Sequence, residues 1–181
     1  MSQPALLTAE ELLRLNLPDK RTELVRGVLL VREPAGYQHG HVAMRLGAAM
    51  HRHAEINGLG RVFAAETGFT IARQPDTVRA PDVAFISSGR LPHPPPRGFA
   101  ELAPDLAVEV HSPDDRPGDV LEKIADWLKA GTRLVWVVDP VRHTARVYRA
   151  DGTEAMVEQN GILHGEDVLP GFAWAVAMTD G

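Results

Sequence analysis

The sequence predicts an α/β (α+β) fold in which a central mixed β-sheet is flanked by helices. Two apolar runs of strand length, at 106–110 and 134–138, are typical of strands that are covered on both faces. Between them, residues 118–130 carry apolar side chains at three- and four-residue spacing, which predicts a helix crossing between two parallel strands. Asp-Gly at 151–152 and Asn-Gly at 160–161 predict hairpin turns, so antiparallel strands are expected beside this unit.

The N-terminal half begins with a capping-box pattern at 8–11, which starts a short helix that ends before Pro18. Apolar and polar side chains then alternate or recur in patterns that predict three strand regions and one long helix. In order, these are a hairpin or bulged strand pair over 21–31 around Gly27, a helix over about 38–57, one or two strands over 61–72 broken at Gly68, and a strand over 78–86.

The C-terminal half opens with the most loop-like segment, 87–104, where the four prolines at 92 and 94–96 forbid regular structure. We expect a surface excursion there and not a domain boundary. After the two apolar strands and their helix, shorter antiparallel strands are predicted over 144–148, 154–158 and 162–163.

Composition limits the classes of protein to consider. The chain has 181 residues, so one domain spanning 1–181 is expected. It contains no cysteine, which excludes disulfides, thiolate nucleophiles and zinc-thiolate sites. No signal-peptide pattern and no apolar run of roughly 20 residues is evident, so we expect a cytoplasmic protein without a membrane segment. The net charge of −5 argues against a general nucleic-acid coat protein, although a local basic groove is compatible with it.

Two acidic residues, Asp82 and Glu109, stand in otherwise apolar strand-like runs. A buried carboxylate is costly unless it is paired, hydrogen-bonded or bound to a metal. If the two strands are neighbours, charges about 4 Å apart repel by roughly 4 kcal/mol at an effective dielectric constant near 20. Either one acid stays protonated or a divalent cation lies between them, and oxygen ligands favour Mg²⁺ or Mn²⁺. Such a metal site suits phosphodiester hydrolysis.

Two residues are candidates for a cationic partner of these acids. His111 follows Glu109 by two positions, so both side chains are expected on one face of the strand. Lys123 lies beside the apolar face of the 118–130 helix, from which its ammonium can reach along the sheet. The paired histidines His39/His41 and His51/His53 do not predict a zinc site, because two-residue spacing on a helix separates the side chains.

With these residues in place, the sequence resembles the Uma-two family of endonucleases, within the PD-(D/E)XK restriction-endonuclease-like superfamily. The resemblance spans about residues 8–175. The matching stretches are 21–27, the region of His39, 80–83, 103–110, 112–115, Lys123 with 130–131, and 135–140.

The resemblance implies a restriction-endonuclease-like core and assigns roles to individual residues. Asp82 corresponds to the PD aspartate and Glu109 to the second acid, which together would bind Mg²⁺ (or Mn²⁺). The superfamily places lysine two residues after the second acid, where this chain has His111, and Lys123 is the implied replacement from the following helix. Glu23 is implied as an additional acidic member and His39 as a residue near the rim of the site, with His111 as a further lining residue.

The implied function is metal-dependent hydrolysis of DNA by an endonuclease, in which Lys123 stabilises the transition state or positions water and Glu23 assists. One alternative is a non-catalytic module that binds nucleic acid or protein on a nuclease scaffold. Another is a metal-free hydrolase using Asp82 and Glu109 as a pair with one strongly raised pKa. A homodimer is also plausible, with a surface from the aromatic side chains of 144–176.

Simpler interpretations of single residues stay open from sequence alone. Asp82 could bond a backbone group, Lys123 could be a solvated helix lysine, and His111 could make a structural hydrogen bond. Glu23 could pair with Arg21 or Arg26 at a surface. The arginines of the proline-rich loop, Arg90 and Arg97, could contact a phosphate backbone or serve solubility.

Overall fold

The structure is a computed structural model that describes residues 6–113 and 115–179. Its three α-helices are α1 (Ala9–Arg14), α2 (Tyr37–Ile56) and α3 (Pro117–Lys129). The first six strands are β1 (Arg21–Val25), β2 (Val28–Arg32), β3 (Gly60–Ala64), β4 (Phe69–Ala72), β5 (Thr77–Arg79) and β6 (Val83–Ser87). The remaining six are β7 (Leu106–Val110), β8 (Leu134–Asp139), β9 (Thr144–Arg149), β10 (Glu154–Val157), β11 (Ile162–His164) and β12 (Ala173–Ala175).

The large sheet of the described chain has six strands in the order β10-β9-β8-β7-β6-β3. Strands β7 and β8 are parallel and joined through α3, as the two apolar runs and the helix between them predict. Their other neighbours, β6 and β9, are antiparallel to them. The sheet is therefore mixed and flanked by helices, which confirms the predicted fold class.

Helices cover both faces of this large sheet. On one face, Leu46 and Met50 of α2 pack in a cluster with Phe85 and Trp136 of the sheet. On the other face, α3 contributes Ile124 and Trp127 to a second cluster with the alternate side chains of β7 and β8. Near-continuous apolar strands such as β7 are required because each of their faces contacts a helix.

A smaller, four-stranded sheet has the order β2-β1-β5-β4. Strands β1 and β2 form a hairpin whose turn is Arg26-Gly27, and both turn residues have positive φ angles, 50° and 79°. These are the conformations that a two-residue type I′ turn requires. The hairpin alternative for 21–31 is therefore the one adopted. A Cβ atom at Gly27 would lie 2.7 Å from the Cβ of Leu6.

The single strand predicted over 78–86 is wrong. Strand β5 ends at Arg79 and belongs to the small sheet, whereas β6 begins at Val83 and belongs to the large one. The segment Ala80-Pro81-Asp82 crosses between the two sheets, and Pro81 lacks the N–H that a continuing ladder would use. Asp82 therefore lies at the entry to a strand, not in its middle.

The region 61–72 also divides between the two sheets, with β3 in the large sheet and β4 in the small one. At these two crossings the strands of both sheets come together. We call the place where they meet, which contains Glu23, Ala80, Asp82 and Glu109, the seam. The predicted site residues Glu23, Asp82 and Glu109 come from elements that meet there.

Candidate active site

Lys123 connects three of the predicted site residues at the seam. Its Nζ atom lies 2.8 Å from Glu109 Oε2 and 3.0 Å from Glu23 Oε1, and it donates a hydrogen bond of 2.9 Å to the carbonyl oxygen of Ala80. Glu23 lies on β1, Glu109 on β7 and Lys123 on α3. The helix therefore returns the lysine ammonium over the strand, and the three side chains meet between the two sheets.

The orientation of α3 accounts for this position of Lys123. Pro117 occupies the first turn of the helix, where its missing N–H has no intrahelical partner to lose. Ile124 and Trp127 are buried against the large sheet, so Lys123, beside them, points along the sheet surface. Trp127 Nε1 also donates to Glu109 Oε1 at 2.9 Å, and both oxygens of Glu109 are thereby engaged.

Asp82 is held by backbone and side-chain donors. The N–H of Val110 donates to Asp82 Oδ2 at 2.7 Å, and His39 Nε2 lies 3.1 Å from the same oxygen. The backbone N–H of Asp82 donates in turn to the carbonyl oxygen of Val108. Asp82 thus does bond a backbone group, and it also faces the site. His39, expected near the rim, is buried and in direct contact with this aspartate.

Glu23 is buried and does not pair with Arg21 or Arg26, which removes that simpler interpretation. Its Oε2 accepts from Arg79 Nη1 at 3.0 Å, and its Oε1 accepts from the backbone N–H of Ala80 at 2.9 Å. Arg79 is only 2% exposed and binds Asp126 of α3 through Nε and Nη2. A buried network of opposite charges therefore ties the small sheet to α3.

Burial and mutual repulsion separate the pKa values of the acids. Burial raises the pKa of Glu109 to about 7, and the nearby charges of Asp82 and Glu23 act in the same direction. Burial also opposes ionisation of Asp82, but the hydrogen bond and charge of His39, with Lys123 nearby, hold its pKa below its usual range. Burial would lower the pKa of Lys123, but the surrounding carboxylates outweigh it and raise that pKa. At neutral pH, Asp82 and Lys123 are charged, while Glu109 is near its midpoint.

The donor set is suited to a hard divalent cation. No group of three or more His, Asp and Glu side chains within 6–113 and 115–179 is arranged as a ready-made metal cage. Mg²⁺ does not require one, since it is usually held by one or two carboxylates together with water and substrate phosphate. Asp82 and Glu109 could provide such a pair of oxygen ligands. Burial raises the pKa of Glu109, with smaller contributions in the same direction from Asp82 and Glu23, so a cation at this place would favour its ionised form.

His111, at the position where the superfamily has its lysine, does not join this network. Its Nδ1 lies 3.5 Å from Asp115, and its backbone N–H donates to the carbonyl oxygen of Val138. The imidazole lines the same small cleft as Asp82 and Glu109, which agrees with the expected strand alternation. Asp115 accepts from the N–H of Ser112, as a turn residue does, and Asp114 lies outside the described residues.

The family model of Uma2, described as "Putative restriction endonuclease", matches residues 9–177. This protein belongs to the Uma2 family. The resemblance noted from sequence is therefore confirmed across nearly the whole chain.

A solved structure has the same fold as this Uma2 chain. It is described as a putative nuclease belonging to DUF820 from Anabaena variabilis, and it is 21% identical in sequence. The match covers 96% of this chain and 97% of the other, with a TM-score of 0.83. No curated protein sequence matches this chain.

Two residues that were given no role in the site from sequence lie beside it in this Uma2 protein, Arg21 and Asp126. Arg21 lies two positions before Glu23 on β1, and its Nη1 is 3.8 Å from Asp82 Oδ1. Asp126 lies three positions after Lys123, a spacing that places both on one side of α3. The alternation on β1 and the helical spacing on α3 are the signals that could have identified them.

The Uma2 structure bears on two other expectations, the phosphate contact of the loop arginines and the aromatic surface for a homodimer, and neither is tested in full. Arg90 donates to Asp105, which is 1% exposed, and to the carbonyl oxygen of Ala103, so its main contacts stabilise the proline-rich loop. In the C-terminal tail, Phe172 and Trp174 are buried in the core and do not form a surface for a homodimer. Among the described residues, no helix is both long and apolar enough to cross a membrane.

Proposed function

We propose that this Uma2 protein is an endonuclease that hydrolyses phosphodiester bonds of DNA with Mg²⁺ (or Mn²⁺) as its cofactor. One observation carries the proposal: Lys123 on α3 bridges the buried carboxylates of Glu23 and Glu109 beside Asp82, at a cleft where the two sheets meet. Family membership and the fold support the same class of reaction.

Asp82 and Glu109 are the residues proposed to hold the metal ion. When bound, Mg²⁺ would polarise the scissile phosphate and lower the pKa of a bound water. Asp82 is well prepared for this role because its pKa is held low, so it is ionised at neutral pH. His39 and the N–H of Val110 fix the orientation of its carboxylate.

Lys123 is proposed to stabilise charge on the phosphate oxygens. Its raised pKa keeps the side chain as an ammonium at neutral pH, which suits electrostatic stabilisation and not proton abstraction. Glu23 and the carbonyl oxygen of Ala80 hold that ammonium in place. Glu23 is therefore proposed to assist by positioning Lys123.

The raised pKa of Glu109 favours a second candidate, a metal-free hydrolase in which Glu109 exchanges protons beside ionised Asp82. The two candidates differ in their response to chelation. Metal-free cleavage would persist in EDTA, whereas the Mg²⁺-dependent reaction would stop.

The test uses purified protein with plasmid DNA and with DNA and RNA oligonucleotides, in Mg²⁺, Mn²⁺ and EDTA. We expect metal-dependent cleavage that falls by at least about a hundredfold in Asp82→Asn and in Lys123→Met. Asp105→Asn is the matched control, because it removes another buried, ion-paired carboxylate away from the seam. Absence of cleavage of every substrate, or cleavage that Asp82→Asn leaves unchanged, would refute the proposal. DNA binding without any cleavage would favour the non-catalytic module.

A further inference from the structure

A cavity of about 670 Å³ opens beside the candidate active site, between helix α2 and the edge strand β3. Arg21, His39 and Asp82 line both this cavity and the small cleft that contains Glu109 and Lys123. The volume lies within the range of roughly 300–1,000 Å³ that is typical of pockets for small organic molecules. A ligand bound there would therefore lie next to the carboxylates.

The cavity exists because one face of α2 carries small side chains. Besides His39, its α2 wall contains Gly40, Ala43, Met44, Gly47, Ala48 and His51. These positions recur at three- and four-residue intervals, as one helix face does. A Cβ atom at Gly40 would meet no atom within 4 Å, so the space beside it is open. The opposite wall, from β3 and β6, includes Val62, Phe63 and Val83, and most of the lining is therefore apolar.

Polar groups are concentrated at the end of the cavity that adjoins the site. The His39 side chain is 8% exposed and lines the cavity, and its Nδ1 atom has no hydrogen-bond partner among the described residues. Arg21 lies at the same end, where its guanidinium is 3.8 Å from Asp82 Oδ1 and 3.8 Å from Oε1 of Glu66, which also lines the cavity. Apolar walls with a few polar groups at one end are suited to a flat, mostly apolar group that is attached to an anion.

The charges around the site do not favour a continuous duplex. Proteins that bind double-stranded DNA neutralise its phosphates with lysine and arginine. Besides Arg21, Lys20 lines the cavity and pairs with Glu33, and Arg32 lines the adjacent cleft at 3.9–4.0 Å from Asp115 and Asp119. With a net charge of −5 as well, phosphate contacts alone are a weak source of affinity. Stacking and burial of a base contribute affinity in addition to that of phosphate contacts, and a paired base in intact duplex cannot supply it.

We propose that this cavity receives one unstacked nucleobase adjacent to the scissile phosphate, with Arg21 beside that phosphate. The protein therefore acts on single-stranded or unpaired DNA in preference to intact duplex. This inference rests on the proposed nuclease function and specifies its substrate.

An exposed aromatic pair extends the same helix face. Tyr37 is 90% exposed, and its ring is parallel to that of His41, with 6.5 Å between the ring centroids. Tyr37 precedes Gly40 by three residues and Met44 by seven, so it continues the face that lines the cavity. Exposed aromatic rings of this kind are platforms on which successive bases of a single strand stack.

The test measures binding separately from cleavage. A fluorescent single-stranded deoxyoligonucleotide and the same sequence as a blunt duplex are titrated with the protein in EDTA, with fluorescence anisotropy as the readout. We expect at least a tenfold preference for the single strand. Gly40→Leu places a side chain in the open space and should remove most of that preference, whereas duplex binding should change less than twofold.

Gln38→Leu is the matched control, because it adds the same side chain to the same helix about 200° away from position 40. It should leave both affinities unchanged. Since leucine has a higher helix propensity than glycine, Gly40→Leu is expected to keep the fold, which circular dichroism checks.

Each outcome distinguishes this inference from the proposed function. If Gly40→Leu removes the preference for single strands but the wild-type protein cleaves no substrate, the base-binding role of the cavity is supported and the nuclease function is refuted. If the protein cleaves DNA but binds both probes with equal affinity, or binds neither measurably, the base-binding role of the cavity is refuted and the nuclease function is not. If Gly40→Leu instead converts a dimer into a monomer in light scattering and leaves the preference unchanged, the groove is a contact between copies of the chain and the inference is wrong.

Discussion

Replacing Glu109 by glutamine should make the protein more stable at neutral pH and leave its stability at low pH nearly unchanged. Glutamine keeps the shape of the side chain and removes its titration. The folded-state pKa of Glu109 is raised from 4.5 to about 7 by burial. A carboxyl group whose pKa is higher in the folded state than in the unfolded state contributes to stability. That contribution is complete below the unfolded-state pKa and is lost as the pH rises through the folded-state pKa.

The size of the effect follows from the same pKa values. The difference between 4.5 and about 7 corresponds to about 3 kcal/mol, because a tenfold change in an equilibrium constant is worth about 1.4 kcal/mol. Between pH 4.5 and pH 8, the free energy of unfolding of the wild type should therefore fall by up to this amount relative to Glu109→Gln. Other titrating groups are common to both proteins and largely cancel in the difference.

The assay is urea unfolding followed by tryptophan fluorescence at several pH values, without divalent metal. Trp127 donates a hydrogen bond to Glu109, so one reporter lies at the perturbed site. Glu154→Gln, the same substitution at an exposed position of edge strand β10, is the control against which the pH dependence of Glu109→Gln is compared. A flat difference for Glu109→Gln, or one of opposite sign, would show that the ion pair with Lys123 keeps Glu109 ionised and would refute the reasoning.

Three further predictions follow from the same network and from the small sheet. Arg79→Met should lower the free energy of unfolding by about 3–5 kcal/mol, because the buried carboxylates of Glu23 and Asp126 each lose an ion-pair partner. A decrease of less than about 1 kcal/mol in chemical denaturation would contradict this. Mg²⁺ should raise the thermal unfolding temperature of the wild type but not of Asp82→Asn in scanning fluorimetry, and an equal rise in both would place the metal elsewhere. Gly27→Ala should cost at least about 1–2 kcal/mol in the same denaturation assay, because its φ of 79° is unfavourable for alanine; a neutral effect would show that the turn can rearrange.

The sequence was sufficient to predict the β7-α3-β8 unit because its signals are local. Each signal is read from residues that are close in the chain. These signals are the two apolar runs, the three- and four-residue spacing of the helix, and the glycine that ends it. Given that unit, Glu109 and Lys123 are only 14 residues apart in the chain, and their contact follows from the return of the helix over its own strand. Asp82 was singled out with Glu109 as an acid in a strand-like run, and the resemblance to a family then added Glu23.

Other features could not be predicted from local patterns. The run 78–86 is mostly apolar and was predicted to be one strand, so its division between two sheets depends on tertiary packing that the periodicity does not encode. Arg79 was not identified because its partner Asp126 lies 47 residues away on another element. The cavity beside the site was also missed, since glycine and alanine on α2 give no signal of whether the space next to them is filled or open.

The seam between the two sheets has a consequence for how the protein acquires activity. Glu23 and Arg79 are 56 residues apart in the chain, and Lys123 meets Ala80 across 43 residues. Contacts of such long range require the closure of large loops, and they form late compared with local hairpins and helices. The site should therefore be complete only when both sheets have docked, and a nascent or partly unfolded chain would lack it. In such a chain the acidic residues would be present but not close together in space. Hydrolysis of nucleic acid would therefore be restricted to the fully folded molecule.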